Sequence, residues 1–188
     1  MPYPSQFTRH QLIHTARTLF EQHGYEAVSM AQVAGALGIK ASSLYKHVND
    51  KSALLREVNT LTLEELSEAL QKAIQNVSTP YTQCLAMGQA YWDYAHAHPV
   101  TYELAFMRQY AATPDAQINE RLSLPIQAPF KSAIGETRSL DALRGAWALL
   151  HGYVSLSLGS HFRREGALDY ELAWQAYLNG WGIKADSV

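Results

Sequence analysis

The sequence predicts an all-α protein, and three observations carry that prediction. Apolar residues recur at three- and four-residue spacing from Leu12 to Trp181. Helix-start chemistry, a Ser or Thr followed three residues later by Gln, stands ahead of two of these segments, at Thr8–Gln11 and Ser29–Gln32. No region shows the sustained alternation of a half-buried strand.

The chain has 188 residues, of which 47% are hydrophobic, so it can build a real core and is not a disordered chain. No apolar run approaches the roughly 20 residues of a membrane span, and MPYPSQFTRH lacks the apolar core of a signal peptide. The single cysteine, Cys84, excludes an intrachain disulfide and fits a reducing, cytoplasmic location. The net charge of -2 hides an asymmetry. Residues 1–56 hold six basic and three acidic residues, +3, and the remainder is -5. The positive share is where a phosphate-binding module would need it.

Thr8 opens the first helix, with Phe7 and Leu12 as the hydrophobic staple around the cap. Leu12, Ala16, Leu19 and Phe20 form its inner face, and Gly24 ends it. Arg9, His10, His14 and Arg17 are placed toward the other side. Ser29 opens the second helix, with Val28 and Val33 as staple and Val33, Ala34 and Leu37 inward. Gly38 can take the left-handed turn that follows, and Ile39 plugs the angle. A third helix runs roughly from Ala41 to His47 with Leu44 inward, and Asn49 or Asp50 caps a long fourth. Two short helices at a tight turn followed by a longer one form a helix-turn-helix, whose second helix enters the DNA major groove.

The segments LFEQHGYEAVSM, VAGALGIKASSLYKHV and DKSALL carry a family resemblance. Residues 8–56 resemble the DNA-binding domain of TetR-family transcriptional regulators. Val48 departs from the pattern, since the family usually has an aromatic there. The resemblance implies a nine-helix architecture: a helix-turn-helix DNA-binding domain at 1–56 and a ligand-binding and dimerisation bundle at 57–188. It also implies a cytoplasmic homodimer, a repressor on a palindromic operator, and dimerisation through the last two helices. WALLHG, Trp147 to Gly152, resembles the C-terminal type named for Trp, His and Gly.

The remaining segments read as helices. The fourth runs from Lys51 toward Ala73–Val77, with Leu54, Leu55, Val58, Leu61, Leu66 and Leu70 inward and Glu64, Glu65 and Glu68 solvated. Thr79 and Pro80 start a fifth that is apolar on two sides and therefore central to a bundle. Pro99 starts a sixth helix reaching Met107, and residues 109–120 read as a loop. The seventh is expected to be irregular before Phe130. The eighth runs from Ser139 to about Phe162, and Asp169 caps the last. These two late helices carry more apolar surface than one core absorbs, which points to a partner chain.

The candidate DNA contacts are Ser29, Lys40, Ala41, Ser42, Ser43, Tyr45, Lys46, His47 and Lys51. Tyr45 and Lys51 are assigned to phosphate; Ala41, Ser42 and His47 can meet base edges. An unknown small hydrophobic or aromatic effector would be lined by Cys84, Met87, Tyr91, Trp92, Tyr102, Phe106, Phe130, Trp147 and His151, although each is equally readable as core. The pairs His10/His14 and His96/His98 lack further ligands nearby, so no metal is expected. No nucleophile, base and orienting group stand together, so no catalysis or cofactor is expected either. Two alternatives are a regulator whose filled core takes no effector and an all-α enzyme working near His151.

Overall fold

The computed structural model describes residues 7–106, 126–160 and 170–185. These form nine helices: α1 (Arg9–His23), α2 (Met30–Ala36), α3 (Ala41–Leu44), α4 (Lys51–Gln75), α5 (Pro80–Ala97), α6 (Pro99–Phe106), α7 (residues 126–134), α8 (Glu136–Leu158) and α9 (Tyr170–Gly180). No strand occurs among the described residues. Residues 109–120, Met107, Phe162 and Asp169 lie outside them.

The chain divides into two compact units. The first holds α1 to α3, α4 as far as Glu64, and α6; it is larger than the expected 1–56 segment. Its core joins Leu12, Ala16 and Phe20 of α1 to Val33 and Ala34 of α2, Leu44 of α3, Leu54, Leu55 and Val58 of α4, and Leu104 of α6. Val48 is 4% exposed and fills its place in this core as an aliphatic side chain. Arg17, assigned outward by periodicity, is only 8% exposed. An arginine stem can lie along apolar surface while its guanidinium reaches a polar partner.

Local chemistry starts these helices as the sequence predicts. Thr8 and Gln11 form a reciprocal capping box, and so do Ser29 and Gln32. Asp50 rather than Asn49 caps α4, its Oδ1 accepting from the Ala53 amide at 2.6 Å. Gly38, at φ 69°, ends α2. Its N–H donates to the Gly35 carbonyl, and the Ile39 N–H donates to that of Ala34, the paired bonds of a Schellman turn.

The second unit contains α4 from Glu65, α5, α7, α8 and α9. α5 is its central helix: Cys84, Met87, Gly88, Tyr91, Tyr94 and Ala95 are buried, and both α8 and α9 pack on it. Thr79 caps α5, accepting from the Thr82 amide at 3.2 Å. Glu65, expected in solvent, instead accepts from the Tyr94 hydroxyl at 3.2 Å. α7 is already regular from Ile126, ahead of Phe130. α8 begins one turn before the expected Ser139, which is buried and donates back to the Glu136 carbonyl at 2.8 Å.

Trp174 of α9 is almost wholly buried, its indole N–H donating to the Cys84 carbonyl at 3.1 Å. The indole lies so close over Gly88 that a Cβ there would overlap it. Gly88→Ala is therefore expected to cost about 1–3 kcal/mol through overpacking, seen as a lower urea midpoint at fixed protein concentration. Burial pushes the neighbouring Cys84 thiol up to about 12. The thiolate is the reactive form, so Cys84 should resist a maleimide at pH 8 in the folded protein and react in urea. Equal rates in both would contradict the packing.

Candidate nucleic-acid interface

α3 is shorter than expected because its hydrogen bonding tightens after Leu44. The Lys46 and His47 amides donate to the carbonyls of Ser43 and Leu44, at 3.3 and 2.9 Å, three residues back. The segment from Ala41 to His47 is thus one helical turn and a tighter turn. Leu44 and Val48 are buried on its inner side. Lys40, Ser42, Tyr45, Lys46 and His47 are exposed, Tyr45 by 51%, and Ala41 and Ser43 are half-buried. One short segment therefore presents two lysines, a phenol, an imidazole and a serine hydroxyl outward.

Its neighbours hold it in place. The His47 imidazole meets the Phe7 ring edge-on, with centroids 4.6 Å apart. Ser29 is exposed, and its hydroxyl is engaged with Gln32 at the start of α2. Lys51, at the start of α4, donates to the Glu26 carbonyl at 3.3 Å, and its ammonium lies 4.1 Å from the centre of the Tyr25 ring. An ammonium has three donors, so this anchor fixes its position while leaving capacity for a phosphate. Arg9 points its charge elsewhere, paired with Glu57 at 2.6 Å. Counting Glu57 and Glu64, residues 1–64 are only +1. The cationic character thus belongs to Lys40, Lys46 and Lys51 around the helix-turn-helix rather than to the unit as a whole.

The nine candidate effector residues fall in both units. Tyr102 and Phe106 are on α6 in the first, with ring centroids 4.8 Å apart. The other seven are in the second. There Cys84, Met87, Tyr91 and Phe130 are buried, whereas Trp92, Trp147 and His151 are half-buried. Trp92 stacks on Tyr170 with centroids 4.3 Å apart. His151 has a partner one turn on, Ser155 Oγ at 3.4 Å from Nε2, and burial lowers its pKa, favouring neutral imidazole.

A cleft of about 290 Å³ in the second unit is lined by different residues: Leu85, Ala86 and Gln89 of α5 with Tyr170, Glu171, Trp174 and Gln175 of α9. The Tyr170 hydroxyl donates to Gln89, whose amide donates to Asp93 at 2.8 Å. Periodicity misses this cleft because it lies between helices about 80 residues apart in sequence. The aromatic spacing of α9 was its only trace.

Residues 12–58 match the family model described as bacterial regulatory proteins, tetR family. Residues 84–179 match a tetracyclin repressor-like C-terminal domain. The chain is 24% identical over 159 residues to the uncharacterized HTH-type transcriptional regulator YobS of Bacillus subtilis, covering 84% of this chain and 83% of that one. It is 26% identical over 159 residues to the HTH-type transcriptional activator FasR of Mycolicibacterium smegmatis, covering 84% and 72%. The fold is similar to that of the TetR family transcriptional regulator PfmR from Thermus thermophilus, with TM-score 0.61, 22% identity, and 94% and 99% of the two chains covered. With matched models at both ends and an exposed polar turn on a buried Leu44, this chain belongs to the TetR family and is a DNA-binding transcriptional regulator.

Proposed function

We propose that the protein is a cytoplasmic, ligand-responsive repressor that binds a palindromic operator as a homodimer. The observation that carries the DNA contact is the outward set Lys40, Ser42, Tyr45, Lys46 and His47 on a turn whose inner side is buried. Tyr45 and Lys51 hold phosphates; Ala41, Ser42 and His47 meet base edges; Lys40, Ser43 and Lys46 stand beside them, and Ser29 with the α2 amides adds a phosphate contact. Two such units read half-sites about 34–36 Å apart, or a multiple of that. A bound dimer blocks access to the DNA it covers, so repression is the simplest output. The relative FasR is named an activator, and activation would appear as reduced reporter expression when the gene is deleted.

We infer that the dimer contact lies on α8 and α9. Leu140 and Leu156 of α8 and Leu172 of α9 are exposed, Leu172 by 64%, and a Cβ added at Gly152 would meet nothing within 4 Å among the described residues. Trp92, Trp147 and His151 are the effector contacts favoured by their partial exposure. An effector that couples by about 1–3 kcal/mol changes operator affinity roughly 5- to 150-fold. A second reading is a regulator with no small-molecule effector; the burial of Cys84, Met87, Tyr91 and Phe130 favours it.

Unbiased operator selection tests the DNA reading, and repeating it with hydrophobic and aromatic ligands tests the effector. On the selected DNA, Tyr45→Ala and Lys51→Ala should weaken binding across sequences, and the lysine change should reduce the salt slope by about one. Unchanged slopes would remove Lys51 from the phosphate set. Gly152→Arg should give folded monomers by analytical ultracentrifugation; a variant that stays dimeric would move the interface off this part of α8.

A further inference from the structure

Glu21 is in the last turn of α1, where a carboxylate opposes the helix dipole. Its surroundings explain this placement. One carboxylate oxygen accepts from the Val100 amide at 3.1 Å, and the other accepts from the Thr101 amide at 2.9 Å and from the Thr101 hydroxyl. Pro99 has no N–H, so these are the first two free amides of α6. Thr101 is fully buried. Toward the other end of α6, the Asn59 side chain on α4 donates to the Leu104 carbonyl at 3.3 Å. Leu104 is part of the core shared with α1 to α4, and Val100 packs against it. α6 therefore belongs to the DNA-binding unit by contact, yet His98 alone separates it in sequence from α5 of the other unit.

We propose that Glu21 is a positioning residue for operator recognition: its carboxylate latches α6 to α1, so that the helix-turn-helix follows α6. α4 is one covalent route between the units, since it contributes to both. The short α5–α6 link is a second, and Glu21 gives it purchase on the DNA-binding helices. A shift at the end of α5 passes through Pro99 into α6, then through the carboxylate into α1, which packs on α2. The latch sets how tightly the spacing of the two half-sites is specified, while the phosphate and base contacts of each half-site are made elsewhere. This inference rests on the dimeric operator reading.

The test uses the full-length protein and the operator that the wild type selects, together with operators whose half-site spacing is changed by one base pair in either direction. Wild type should discriminate against the altered spacings. Glu21→Ala should lose that discrimination by at least about fivefold while single half-site binding changes less than twofold; Glu21→Gln, which keeps one acceptor oxygen, should restore part of it. Hydrogen exchange at Val100 and Thr101 should rise in the alanine variant. A folded Glu21→Ala protein with wild-type spacing discrimination overturns the latch. If that variant does not fold, Glu21→Gln decides in the same assay: reduced discrimination supports the latch, and unchanged discrimination overturns it. If wild type itself selects no spaced pair of half-sites, the operator reading fails, and the latch fails with it.

Discussion

A helix of four residues has no stability of its own, because its nucleation cost exceeds the few bonds it makes. The second helix of the helix-turn-helix, α3, is such a helix. It depends on the burial of Leu44 and Val48 in a core closed by α1, α2 and α4. Those two aliphatic contacts fix its inner side and leave its polar groups outward. The caps at Ser29 and Asp50 fix where the flanking helices begin, and the Lys51 ammonium over Tyr25 holds the start of α4 to the loop between α1 and α2.

The same dependence extends to α6. This helix is apolar around most of its circumference and carries Leu104 into the N-terminal core, with Thr101 buried on Glu21. A boundary drawn from the end of the helix-turn-helix motif leaves α6 out, because 80 residues separate Thr101 from Glu21. The compact unit is therefore larger than the motif, and α6 as well as α4 links it in sequence to the second unit.

In the second unit, close packing on α5 has a direct bearing on ligand chemistry. Cys84, Met87 and Tyr91 supply core contacts, and the close fit of Trp174 over Gly88 draws α9 against α5. Aromatic residues at helical spacing are consistent with either a lined pocket or a filled core. What separates them is whether helices distant in sequence meet at that face. Here α5 and α9 meet around a cleft in which Gln89 and Tyr170 are joined by a hydrogen bond.

The all-α class, the starts of α1, α2 and α5, the turn at Gly38 and the inward position of Leu44 are legible in the sequence. These depend on groups within about four residues of one another: a cap and its amide, a staple pair, a glycine and its own φ. The sequence also specified the polar set at residues 40–47, since one apolar residue on so short a helix assigns its inner side. Contacts between distant stretches place Arg17 and Val48 in the interior, bring Glu65 to Tyr94, join α6 to the first unit and leave a cleft beside Trp174. Each of these turns on which surfaces meet across stretches of chain far longer than a helical turn. Helical periodicity says that a face is apolar without naming what covers it.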